Sequence, residues 1–189
     1  MTTTEIFEKI LSRQTTALML HNSMTAVFDL MNLHGFKRLH EFQFFKEAIE
    51  MQRLRRYYTN HCFKLPDMRH AESPEIIPDS WYKYNRANID TTTKRNAVES
   101  MMKKWLDWEI ESRDTYSEYY SDLCREGDIA AAMQIKELIC DVDTEIKYAE
   151  RLSVKLANMN YDITNVYLLQ DDMHEEYRKK EESLKIDFC

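Results

Sequence analysis

Glycine and proline are scarce, with two glycines and three prolines in 189 residues. These two residue types are the strongest local punctuators of a chain, so their scarcity leaves room for few turns. Gly35 and Gly127 each stand alone between long stretches of helix-forming sequence, and Pro66, Pro74 and Pro78 fall in one central segment. The chain is thereby cut into four long helical runs joined by a short turn, a long crossing and another short turn. A short turn makes two helices antiparallel neighbours, and the long crossing lets the third helix start at the same end as the first. The inner faces of such a bundle are the place to look for function.

Other absences narrow the class. Cys62, Cys124, Cys140 and Cys189 include no CxxC pair, which argues against a zinc site and reads as reduced thiols in a cytosolic protein. No apolar stretch approaches the length of a membrane span. The segment Met1 to Glu8 has neither the basic start nor the apolar run of a signal peptide, so the expected location is cytoplasmic. A basic stripe is missing too: 26 Lys and Arg against 33 Asp and Glu give a net charge of −7. That argues against nucleic-acid backbone binding and is compatible with an acidic cavity or a cation-attracting surface. With 43% hydrophobic residues the chain has material for one sizeable core, and a single domain over 1–189 is expected.

What is present is helical periodicity. The first helix is expected over about 4–32, capped by Thr3 or Thr4, with Ile10, Ala17, Met24, Phe28 and Met31 as its inner stripe. Gln14 and His21 interrupt that stripe. Gly35 is expected to end the helix in a left-handed conformation. The second helix, about 36–61, carries Phe36, Leu39, Gln43, Glu47, Glu50, Leu54 and Tyr57 inward; Phe42, Phe44, Phe45 and Ile49 make a second apolar face, as an oligomer contact requires. The crossing, about 63–89, holds Trp81, Tyr82 and Tyr84 and reads as an ordered strap. The third helix is expected over about 91–125, with Val98, Met101, Trp105, Glu109, Ser112, Tyr116, Tyr119 and Leu123 inward. The fourth, about 128–160, starts at Asp128 as N-cap and carries Ile135, Leu138, Val142, Glu145, Ala149, Leu152 and Leu156. A charged amphipathic segment, about 165–185, reads as a peripheral fifth helix.

Periodicity thus assigns Gln14, Glu47, Glu50, Glu109 and Glu145 to interior faces. An unpaired buried carboxylate loses several kcal/mol of hydration, on the order of what a domain can spare. A divalent or trivalent metal compensates, and so does pairing with Arg13, Arg53 or Lys147. His21 by itself reads as a hydrogen-bonded core histidine, and Trp105, Tyr116 and Tyr119 as core aromatics.

Several segments resemble the bacterial ferritins. Leu33-His34-Gly35-Phe36 resembles their "LHGF" turn between the first two helices, and Ser23 to Asp29 resembles their "SMAAYFD" helix end. Asp128 to Ala132 resembles the start of their fourth helix, and Val166 to Asp171 their "LYLLDKEL". The resemblance implies an all-α, ferritin-like four-helix bundle with a long crossover between helices two and three and a C-terminal fifth helix. It implies metal ions as partners, a homo-oligomer, and iron binding or storage with ferroxidase chemistry, in which Fe(II) binds, reacts with oxygen and moves on as Fe(III).

Carried over from the turn, the family's ligand set falls on Gln14, on Glu47 and Glu50 (for Glu-x-x-His), on Glu109 with Glu111 as the alternative, and on Val142. An accessory glutamate of bacterial members falls on Glu145. Two positions of the primary site match by type, Glu47 and Glu109, and Glu47 is the implied bridge. Glutamine for glutamate at Gln14 removes one anion and Glu50 for histidine adds one. Loss of the imidazole shifts preference from iron toward Mn, Mg or Ca, and the incomplete set weakens the expected ferroxidase activity. The alternative is a metal-free structural or interaction protein, in which these carboxyls pair with cations or carry protons.

Overall fold

The computed structural model describes residues 1–67, 77–85 and 87–186. Pro74, placed by the sequence in the crossing, lies outside them. Five helices follow one another: α1 (Thr3–Leu30), α2 (His34–Cys62), α3 (Thr91–Glu126), α4 (Ile129–Asn158) and α5 (Ile163–Ile186). Among the described residues there is no strand. No helix there is long and apolar enough to cross a membrane.

Helix starts and stops follow local chemistry. The cap of α1 lies one residue before the two expected: Thr2 accepts from the Glu5 amide while the Glu5 carboxylate accepts from the Thr2 amide. This reciprocal pair satisfies two donors at once, an arrangement neither Thr3 nor Thr4 makes here. α3 is capped by Asp90, which accepts from the Thr93 amide at 2.7 Å. Gly127 closes it with φ 79°, in the left-handed region that a glycine enters without strain. Asp128 caps α4 as expected, accepting from the Ala131 amide.

Gly35 does something other than expected. The left-handed residue of the first turn is Asn32, at φ 57°, and Gly35 lies inside the first turn of α2. Its need is room. A Cβ there would lie 2.7 Å from Cα of Gln170 on α5 and closer still to the Gln170 carbonyl oxygen. The glycine therefore lets the backbones of α2 and α5 touch.

That contact begins an extended seam. Val166, Leu169, Met173 and Tyr177 of α5 are buried, on an i, i+3, i+7, i+11 face. Tyr177 meets Phe42 of α2 and Tyr148 of α4, at ring-centre distances of 5.5 and 5.9 Å. α5 is thus a packed part of the bundle rather than a peripheral helix; its charges occupy the opposite face. Trp81 and Ile77 of the crossing are buried in the same apolar cluster, as a packed strap requires.

The interior has two apolar clusters. One gathers Leu20, Met24, Phe28, Phe36, Leu39, Met101, Trp105 and Leu156 with α5. The other gathers Ile6, Phe7, Ile10, Leu54, Tyr58, Tyr116, Leu123 and Leu138. In α2 the inward tyrosine is Tyr58, with Tyr57 only half-buried. Between the clusters, at mid-height on all four helices, lies a layer of buried polar side chains: Gln14, Gln43, Glu47, Glu109, Ser112 and Glu145.

Candidate metal centre

Each of the four long helices contributes to this layer. Glu109 of α3 is 1% exposed, and Glu47 of α2 and Glu145 of α4 are 6% exposed. Gln14 of α1 is buried and donates to the Tyr116 hydroxyl at 3.2 Å. Glu111, the alternative on α3, points away: its side chain is 67% exposed and pairs with Arg13 at 3.3 Å. Glu50 sits at the edge of the layer, half-buried. The helix-four position implied for a family glutamine holds Val142, which is buried and has nothing to donate.

The electrostatics are those of too many carboxyls in too dry a place. Burial pushes Glu47 well above the ordinary carboxyl range, and Glu50, Glu145 and Glu109 push it further. Burial raises Glu109 in the same way, with Glu145 adding to it. Its Oε1 accepts from the Trp105 indole N–H at 2.9 Å. Glu50 is raised to about 8, again by burial, with Glu145 and Asp141 outweighing part of the help from a nearby lysine.

That lysine is Lys46. Its ammonium bonds Glu145 across the bundle and lies 3.9 Å from Glu50. Burial opposes its charge, but Glu145 and Glu50 overcome this and hold it above the usual lysine range. The sequence pointed to Arg13, Arg53 or Lys147 as cations for the buried carboxyls. Arg13 instead donates to Ser112 and lies 4.0 Å over the Trp108 ring, and Arg53 pairs with Glu137. Lys46 was missed because it sits one residue from Glu47, about 100° around the helix, and reaches inward only by bending its long stem.

A cavity of about 560 Å³ opens beside this pair, between α2, α4 and α5, lined by Phe42, Lys46, Glu145, Tyr148, Tyr177 and Lys180 among others. It leads from the surface to the Lys46–Glu145 contact.

Toward its first apolar cluster the layer continues into two histidines. His21 and His40 are both fully buried, with their Nδ1 atoms 3.1 Å apart and their rings stacked at 5.3 Å. Burial holds His21 at about 3, with the Lys46 charge contributing, and holds His40 well below the usual value, with His21 contributing. His40 precedes Glu47 by seven positions and so shares its face, a periodicity that could have singled it out.

Several buried atoms in and beside the layer have no hydrogen-bond partner: Gln14 Oε1, Gln43 Oε1, Glu47 Oε2, Glu145 Oε2 and His21 Nε2. Unsatisfied oxygens from three helices around one level are the donor chemistry of a hard cation. Among the described residues, however, no three His, Cys, Asp or Glu side chains converge as a ready-made metal site.

No protein-family model matches the sequence, and no curated protein matches it. Solved structures do. The chain is similar to the open-pore ferritin of the hyperthermophilic archaeon Archaeoglobus fulgidus, with 15% identity, 91% of this chain and 94% of that one covered, and a TM-score of 0.74. It is similar to the same degree to a closed form of that ferritin engineered by site-directed mutagenesis. At this identity the likeness speaks for architecture alone, and the architecture is plain: the chain has a ferritin-like fold.

Proposed function

We propose that this protein binds iron, or a related oxygen-preferring divalent ion, at the mid-height carboxylate layer of a ferritin-like bundle. The observation that carries this reading is the set of orphaned buried oxygens on Gln14, Glu47 and Glu145, in the same polar layer as the buried Glu109. Such atoms cost about 1–3 kcal/mol each when left unpaired, and a cation satisfies them together. Glu47 and Glu109 are the central ligands, with Glu50, Gln14 and Glu145 auxiliary. Fe(II) is the substrate in this reading, and its oxidation is slow or altered because Val142 leaves one family position empty of donors. The chain acts as a homo-oligomer, for which the half-exposed Phe44 and Phe45 of α2 provide an apolar face.

Lys46 favours a second reading. An ammonium already bonded to Glu145 and close to Glu50 offsets one carboxylate without any metal, and protons held on Glu47, Glu50 and Glu109 offset the others, as a structural protein on this fold requires. The two readings separate on one experiment: aerobic Fe(II) loading followed by gel filtration and metal analysis. Many irons per chain in a large particle support storage. One to three per chain in a small species support a di-metal protein without mineral. No retained metal, with unchanged thermal stability, leaves the structural reading standing.

A further inference from the structure

The cavity between α2, α4 and α5 has no role in the metal-binding reading. We propose that it is a binding site for a neutral hydroxy-aromatic molecule of the phenol class. Its volume of about 560 Å³ lies within the range of small-molecule pockets, about 300–1,000 Å³.

Three aromatic rings form its walls: Phe42 of α2, Tyr148 of α4 and Tyr177 of α5. Phe42 and Tyr148 each pack against Tyr177, with ring centres 5.5 and 5.9 Å apart. Rings held by one another offer fixed faces and edges, so a planar guest packs on them at little cost in side-chain freedom. The two tyrosine hydroxyls bond each other, and neither needs a guest as partner. On the outer side the Lys180 ammonium lies over Tyr177 and Tyr148, 4.3 and 5.5 Å from the ring centres. That side chain is 41% exposed and opens the cavity by swinging into water.

The charges of the lining argue for an uncharged guest. Lys46 bonds Glu145, and Lys180 bonds Glu176. Arg151 is the remaining charge, on an exposed residue whose Nε donates to the Lys147 carbonyl at 3.0 Å. An ion entering the cavity breaks one of the two pairs or stays beside Arg151, where solvent makes a pair weak. A neutral molecule does neither.

The hydroxyl requirement comes from the inner wall. Gln43 and Glu145 line the cavity although they are only 4% and 6% exposed. Gln43 Oε1 and Glu145 Oε2 each lack a hydrogen-bond partner. Both oxygens are covered, and rotation about the last side-chain bond, which is soft in both residue types, turns either one toward the cavity. A guest hydroxyl then donates to an acceptor that is otherwise unmet. Its oxygen accepts from Lys46, whose ammonium carries three donors. A ring with no hydroxyl leaves the buried acceptor unpaired.

The test is isothermal titration calorimetry of the full chain in chelator, so that its outcome is separate from that of metal binding. The probes are 2-naphthol, its methyl ether 2-methoxynaphthalene, which has no donor, and the anion 2-naphthoate. One 2-naphthol per chain is expected, with the ether at least tenfold weaker and the anion weaker than the alcohol. Thr144→Trp, at an exposed position of the lining, is expected to fill the cavity and abolish binding. Gln43→Leu is expected to bring 2-naphthol toward the affinity of the ether. Absence of saturable 2-naphthol binding overturns the proposal, as does an ether that binds as tightly as the alcohol. Tighter binding of 2-naphthoate overturns the neutral class, and unchanged binding in Thr144→Trp overturns the location. The comparison of the three probes needs no variant, so a substitution that fails to fold leaves the proposal open to refutation.

Discussion

The Lys46 ammonium on α2 bonds the Glu145 carboxylate on α4 across the interior, at the inner end of a cavity that reaches the surface. An ammonium and a divalent ion compete for the same carboxylate oxygens. A bound ion at this level must displace Lys46, and the cavity beside Tyr148 and Tyr177 gives the side chain somewhere to go.

Removing the competitor should therefore tighten metal binding. Lys46→Met is expected to raise Mn(II) affinity at least tenfold, read from the EPR of free Mn(II). It should also lower stability in chelator by about 1–2 kcal/mol, a modest loss because the Lys46 side chain is 25% exposed. Equal or weaker Mn(II) affinity in the variant would show that Lys46 does not block the site.

The pH dependence of stability has a definite sign. Glu47, Glu50 and Glu109 hold their protons in the folded state above the ordinary value of 4.5, Glu50 up to about 8. The unfolded chain releases them near 4.5, so it binds fewer protons and stability falls as pH rises through that window. His21 and His40 act oppositely, since unfolding lets them take up protons below about 6.5. Between pH 6.5 and 8 only the carboxyl trend remains. Urea unfolding in chelator should show stability dropping across that interval, by up to about 1.4 kcal/mol per pH unit for each such carboxyl. Glu109→Gln should flatten the slope. A flat or rising profile in the unmutated protein contradicts protonated interior carboxyls.

Position 35 should tolerate no side chain. Gly35→Ala gains about 0.5–1 kcal/mol of helix propensity, yet places a methyl against the Gln170 backbone. Overpacking costs about 1–3 kcal/mol, so a net loss is expected, seen as a lowered Tm with α5 detaching first in limited proteolysis. A Tm at or above that of the unmutated protein would mean α5 shifts freely.

Phe45 is 39% exposed on α2. If α2 carries the contact between copies, Phe45→Glu should reduce the particle mass seen by light scattering while leaving helical content by circular dichroism unchanged. Retention of the full mass would remove this face from the assembly.

Most of the architecture was legible because helix punctuation and periodicity are local. Gly127 and Asp128 close α3 and open α4 as their residue types dictate. Gln14, Glu47, Glu109 and Glu145 fall inward because each lies on a stripe that carries buried apolar residues to either side: Ile10 and Ala17, Leu39 and Leu54, Trp105 and Tyr116, Val142 and Ala149. What escaped is tertiary. The role of Gly35 depends on α5, 135 positions further along. Lys46 reaches the interior through its own flexible stem, and no periodicity forecasts a bent side chain. Asp141 bears on Glu50 from another helix. The fifth helix looked peripheral because its charges outnumber the residues of its narrow apolar face. His40 lies on the face of Glu47 and was overlooked among the aromatics.

The buried polar layer also divides the protein's cohesion. Hydrophobic adhesion is strong in the two apolar clusters and weak at mid-height, where neighbouring helices share carboxyls and amides instead of methyl groups. A bundle built this way has its weakest apolar cohesion at the waist. The carboxyls there thus set where the helices are held together by polar contacts rather than by packed side chains.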